Sequence, residues 1–119
     1  MRTLLLTGTL LLPFLLLGQT PTKQELKVRS QLAKGKAYPA IRNATAMLLK
    51  GGHPEFYALR AQAYNRIDEH AKAEADARAS LQLLPTAPEG LFQLALAEKG
   101  MGSLDSAALH LHQLLQRQP

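Results

Sequence analysis

The stretch "PEFYALRAQAYNRIDEHAKAEADARASLQLLP", Pro54 to Pro85, can be laid over "PEGLFQLALAEKGMGSLDSAALHLHQLLQRQP", Pro88 to Pro119, at an offset of 34 residues. Eight of the 32 paired positions are identical: Pro54, Glu55, Ala61, Ala63, Ala73, Leu81, Gln82 and Pro85 each meet their own kind. Alanine and leucine, both strong helix formers, dominate the stretch, and Pro85 cannot continue a helix. "RIDEH", Arg66 to His70, interrupts the pattern midway. The reading is a helix, a turn and a second helix, used twice. Ala61 and Ala73 lie twelve apart across the turn, so they face each other where two antiparallel helices cross. Small side chains there let the helix axes come close. In the second helix Ala73, Ala77, Ser80, Leu81 and Leu84 recur at three- and four-residue spacing and form one packing face. Ala71, Ala75 and Ala79 fall between them, where alanine mainly supplies helix propensity.

The rest of the chain agrees with an all-α class. Its 119 residues fit one domain, and 46% of them are hydrophobic while only 5% are aromatic. β-Branched residues are scarce: Val28, Ile41, Ile67 and a few threonines. The chain has no cysteine, which excludes a disulfide framework, a thiolate zinc site and a cysteine nucleophile.

The N-terminus reads as a separate object. Arg2 precedes an apolar run from Leu4 to Leu17 that ends at Gly18, the layout of a secretory signal peptide over residues 1–18. The run is shorter than the roughly 20 residues a membrane-spanning helix needs. Cleavage after Gly18 would give an exported protein, bacterial periplasmic or secreted. If the segment is uncleaved, the same run is a membrane anchor.

The repeat resembles the tetratricopeptide repeat, a 34-residue helix–turn–helix unit. With Pro54 as the first residue of a unit, the pattern's aromatic falls on Tyr57, its small eighth residue on Ala61 and its tyrosine on Tyr64. The small twentieth residue is Ala73 and the closing proline is Pro85. The next unit keeps Ala95, Ala107 and Pro119 but has Leu91 in the aromatic slot and Glu98 where the tyrosine is expected. A weaker unit lies upstream: a first helix over 23–33 with Val28 in the small slot, a turn at Gly35, Ala40 in the second small slot, and Pro54 as the stop. The resemblance therefore implies a right-handed α-solenoid of about three hairpins over 21–119, with units 21–53, 54–87 and 88–119.

It also implies a non-catalytic adaptor that holds a peptide or a partner helix in the groove formed by its first helices. At the family's groove positions stand Glu25, Arg29, Leu32 and Ala33, then Ala58, Gln62, Asn65 and Arg66, then Phe92, Leu96, Lys99 and Gly100. Phe92 and Leu96 would anchor the partner, and Arg66 and Lys99 would orient an acidic one. Arg29, Gln62 and Asn65 complete the set. A second reading is structural. Leu109, Leu111 and Leu114 near the C-terminal end leave apolar surface for self-association or a partner, because no polar helix follows them in this sequence.

Enzymatic chemistry finds no support. His110 and His112 are two apart and point to different sides of a helix, His53 and His70 sit at a junction and a turn, and no metal or cofactor motif occurs. Asp68, Glu69, Glu74 and Asp76 alternate with Arg66, Lys72 and Arg78, which reads as a solvated helix face with a Glu74–Arg78 pair. Charge is unevenly spread. From Gln19 to His53 seven Lys/Arg stand against one acid, a net of +6, whereas Pro54 to Pro119 carries six against eight, a net of −2. A basic first hairpin suits an acidic protein segment or an anionic membrane surface. Nucleic acid does not fit an exported chain.

Overall fold

The computed structural model of the chain describes residues 20–51 and 53–117. The expected signal segment over 1–18 and the closing Pro119 lie outside them. Six helices make up the described chain: α1 Lys23–Ala33, α2 Ala37–Leu49, α3 Glu55–Arg66, α4 His70–Leu83, α5 Pro88–Gly100 and α6 Leu104–Arg117. The described residues contain no strand, so the all-α class is as expected. None of the described helices is long and apolar enough to cross a membrane.

Local chemistry sets the ends of these helices. Thr22 caps α1, its hydroxyl accepting the Glu25 N–H at 3.1 Å, while Glu25 places negative charge on the positive end of the helix dipole. Pro88 opens α5 at its first position, where the missing N–H costs nothing. α4 closes at Leu83, two residues before Pro85.

Three turns within the chain are built alike. In 34–36, 67–69 and 101–103 the middle residue has positive φ: Gly35 at 75°, Asp68 at 61° and Gly102 at 84°. The third residue then donates its N–H five residues back, Lys36 to Gln31, Glu69 to Tyr64 and Ser103 to Glu98, at 2.8, 2.9 and 2.8 Å. This is the Schellman closure of a helix C-terminus. Four residues later the N–H of Ala40, Ala73 or Ala107 opens the next helix on the carbonyl of Lys36, Glu69 or Ser103. All three alanines are buried. Asp68 departs from glycine, but a short polar side chain tolerates the left-handed region better than most.

Each helix packs on the next, and in addition α1 packs on α3 and α3 on α5. No comparable contact joins α2 to α4 or α4 to α6 among the described residues. The odd-numbered helices thus form a layer of their own, with the even-numbered helices outside it. One core cluster gathers Val28, Leu32, Ala37, Ala40, Ala44, Phe56, Leu59 and Ala63. The other gathers Ala61, Ala73, Ala77, Leu94 and Ala97. Ala61 and Ala73 therefore share a core, both fully buried, as their spacing across the turn predicts. Ala71 and Ala75 are exposed, in keeping with a role in helix propensity.

One expectation is overturned. Asp76 does not belong to a solvated face: it is 6% exposed and pairs with Arg60. The reason is periodicity, since Ala73, Asp76, Ala77 and Ser80 follow the i, i+3, i+4, i+7 spacing of one helical stripe, and all four are buried. The Glu74–Arg78 pair does form, at 3.0 Å.

Candidate functional site

Because α3 and α5 lie side by side, the side chains they turn away from the even-numbered helices line a common concavity. It measures about 440 Å³ and is lined by Gln62, Asn65 and Arg66 from α3, His70 from the start of α4, and Phe92, Gln93, Leu96, Lys99 and Gly100 from α5. Six of the seven groove residues expected most strongly from the sequence meet here. The seventh, Arg29, lines a neighbouring concavity of about 170 Å³ with Leu32, Ala33, Gln62 and Arg66. Gln62 and Arg66 border both, so the two run together across α1, α3 and α5. Ala58 lines a smaller gap of about 20 Å³ with Ser80 and Glu55, which Arg29, Gln62 and Gln93 also border.

The apolar and polar parts of the large concavity behave differently. Phe92 is 42% exposed, an unusual position for a phenylalanine, and Leu96 beside it is half-buried. Lys99 is exposed one helical turn further on. Asn65, by contrast, is fully engaged. Its Nδ2 donates to the Gln93 carbonyl at 3.1 Å and to Gln93 Oε1 at 3.0 Å, while its Oδ1 lies 3.0 Å from His70 Nδ1. With Nδ2 committed to two acceptors, Oδ1 must accept, which assigns the proton to His70 Nδ1. Arg66 is also partly committed, since its Nη1 donates to the Leu32 carbonyl at the end of α1. Asn65 and Arg66 thus brace the walls of the groove more than they face its interior. Arg29 is held by Glu25 at 3.0 Å, with Glu89 at 4.0 Å.

His70 and Gln93 are groove residues that sequence reasoning missed. The available signal was Gly100, the last residue of α5. A Cβ there would fall 2.4 Å from His70 Cδ2, so only glycine lets the imidazole lie against α5.

Two further polar clusters are buried between helices. Arg60 forms a bidentate pair with Asp76, Nε to Oδ2 and Nη2 to Oδ1 both at 2.7 Å, and its Nη1 donates to Thr45 Oγ1 at 3.1 Å. Tyr57 and Tyr64 rings flank it at 5.9 and 6.0 Å. The hydrogen bond to Asp76 holds the Arg60 guanidinium above its ordinary pKa, with burial opposing it. In the last hairpin Glu98, 2% exposed, lies 2.6 Å from His110 Nδ1 and 3.6 Å from Arg78 Nη2. Both clusters join three consecutive helices. Among the described residues no group of three or more His, Cys, Asp or Glu side chains is arranged to hold a metal. Compared with known proteins, the chain matches no family model, and no curated protein matches it.

Proposed function

We propose that this chain is a non-catalytic binding module of tetratricopeptide type, a right-handed solenoid of three hairpins exported to the cell envelope, that holds an acidic peptide or partner helix in its groove. The observation that carries the reading is the half-exposed Phe92 with Leu96, set in a concavity of about 440 Å³ beside the exposed Lys99. Apolar side chains concentrated in a concave site with a few convergent polar groups are what a ligand groove requires. The three like-built turns and the layer of odd-numbered helices supply the geometry a solenoid of this kind would use. An apolar side chain of the partner would seat against Phe92 and Leu96, with a neighbouring carboxylate near Lys99. Asn65 and Arg66 keep α1, α3 and α5 in register so that the groove is formed in advance.

The test is a pulldown of envelope proteins with the full chain, its Phe92→Ala and Lys99→Glu variants, and Lys27→Glu as a control on the basic first hairpin. Partners retained by the wild type should be lost with Phe92→Ala and weakened with Lys99→Glu, while Lys27→Glu keeps them. Equal retention by all four proteins rejects the groove. Loss only with Lys27→Glu moves the binding surface to the first hairpin, where an anionic membrane or acidic segment would dock.

A further inference from the structure

Matched positions on the three even-numbered helices have different fates. In α2, Ala37, Ile41, Ala44 and Leu48 all belong to, or pack against, the core cluster shared with Val28 and Leu32 of α1 and with Phe56, Leu59 and Ala63 of α3. The corresponding positions of α4, 33 residues on, are His70, Glu74, Ala77 and Leu81. There Ala77 is buried, Leu81 packs beside Leu94 and Ala97 of α5, and His70 lies against Gly100 of α5. This is the face by which an even-numbered helix receives the next odd-numbered one. In α6, 34 residues on again, the same positions are Leu104, Ala108, Leu111 and Leu115, and all four are exposed.

We propose that this face pairs with its own copy on a second chain, the two α6 helices running antiparallel about a two-fold axis. Three observations select this occupant. First, the stripe reads the same in both directions: its steps are four, three and four residues. In one antiparallel register Leu104 therefore meets Leu115 of the other copy, and Ala108 meets Leu111, small against large. Second, α6 carries an acid, Asp105, in its first turn and a base, Arg117, in its last. Antiparallel pairing sets the acidic end of one helix beside the basic end of the other and opposes their dipoles. Third, head-to-tail stacking is ill matched. The α1 positions corresponding to Phe56, Leu59 and Ala63 are Lys23, Leu26 and Ser30, exposed and joined by Lys27. A lysine-bearing face does not cover leucines without desolvating charge. The proposal stands independently of the groove, which opens between α3 and α5.

A single helix pair is a small interface, so association in the micromolar range or weaker is expected. The full chain is studied in a non-ionic detergent that keeps the Leu4–Leu17 run dispersed. Sedimentation should show a monomer–dimer equilibrium that Leu111→Lys weakens about tenfold or more, with its circular dichroism unchanged because Leu111 is already at the surface. The chain has no cysteine, so single substitutions report the register. With a short bismaleimide linker, Ala108→Cys should crosslink to itself, being three residues along the helix from its copy in this register. Leu104→Cys should not, being eleven residues or about 16 Å along the axis from its own copy. Mixed Leu104→Cys and Leu115→Cys chains should crosslink to each other. A strict monomer overturns the proposal and leaves the face to another partner. Dimerisation indifferent to Leu111→Lys overturns it in favour of the N-terminal apolar run. Self-crosslinking of Leu104→Cys with a matching loss for Ala108→Cys overturns the antiparallel pairing.

Discussion

The hairpin α3–α4 and the hairpin α5–α6 each bury a polar cluster between three helices, with the anion on the outer helix in one and on the inner helix in the other. In the first, the cation Arg60 stands on the inner helix, the anion Asp76 on the outer helix, and Thr45 reaches in from the outer helix before. In the second, the anion Glu98 stands on the inner helix, His110 on the outer helix and Arg78 on the outer helix before. Asp76 and His110 are 34 apart, and Thr45 and Arg78 are 33 apart. The inner partner moves by one turn, because Arg60 corresponds to Leu94 while Glu98 corresponds to Tyr64. Both hairpins thus bury a polar group where three helices meet, and each satisfies it with different residues. The apolar filling differs as well. Phe56, fully buried, sits in the seam between α2 and α3 in one core with Met47. The seam between α4 and α5 has Gly90 and Ser80 at the corresponding places, so close that a Cβ on Gly90 would lie 3.0 Å from Ser80 Oγ. One seam is filled by large side chains and the other by backbone approach.

The largest expected effect follows from that contrast. Phe56→Ala should cost about 4 kcal/mol, because a fully buried ring is lost and its neighbours cannot collapse into the space. Urea unfolding of the full chain measures it. A cost below about 1 kcal/mol would mean that the α2–α3 seam can close as tightly as the α4–α5 seam already does, and the contrast would dissolve.

Next come the two charge clusters, which should differ in size. Asp76→Ala leaves a guanidinium only 20% exposed without its bidentate partner, and about 3 kcal/mol should be lost. The double variant Arg60→Met/Asp76→Leu should recover to within about 1 kcal/mol of the wild type, since an apolar pair of similar bulk leaves no stranded charge. Glu98→Ala should cost less, about 2 kcal/mol. Of the groups it strands, Arg78 is 55% exposed and retains Glu74, so its guanidinium stays solvated and paired. If Glu98→Ala proved costlier than Asp76→Ala, the two clusters would not be equivalent solutions to one packing problem.

These clusters also mark the boundary of what the sequence makes legible. The crossing of Ala61 with Ala73 needed only the spacing and the turn between them. The turn at Gly35 announced itself as well. Asp76 was hidden by composition: "AEADARAS" reads as alternating surface charge, although its stripe spacing with Ala73, Ala77 and Ser80 already put it inside. Glu98 falls on the stripe of Leu91, Leu94 and Ala95 in the same way, and all four are buried. In the groove, Phe92, Leu96 and Lys99 stand where the resemblance alone puts them, and their i, i+4, i+7 spacing accounts for their lining one concavity. The roles of Asn65 and Arg66 were not legible, since each bonds a backbone carbonyl on another helix, at Gln93 and Leu32. Which carbonyl a side chain reaches depends on the spacing between helices, and a one-dimensional pattern does not contain it.

The smallest effect sharpens the contrast between the seams most directly. Ser80 occupies the place that Met47 fills one hairpin earlier, and its hydroxyl is buried with no protein partner. An unbonded buried hydroxyl costs free energy, and alanine is the better helix former, so Ser80→Ala should stabilise the chain by about 0.5–1 kcal/mol. A gain is a demanding outcome at a buried position, where most substitutions destabilise. It would show that the α4–α5 seam needs a small side chain at this point and not a polar one. A loss of similar size would show instead that the hydroxyl serves Glu55 across the gap of about 20 Å³ that both residues line, a volume suited to one bridging water. The tight seam would then be polar by design, and a third cluster would join the two that bind the helices together.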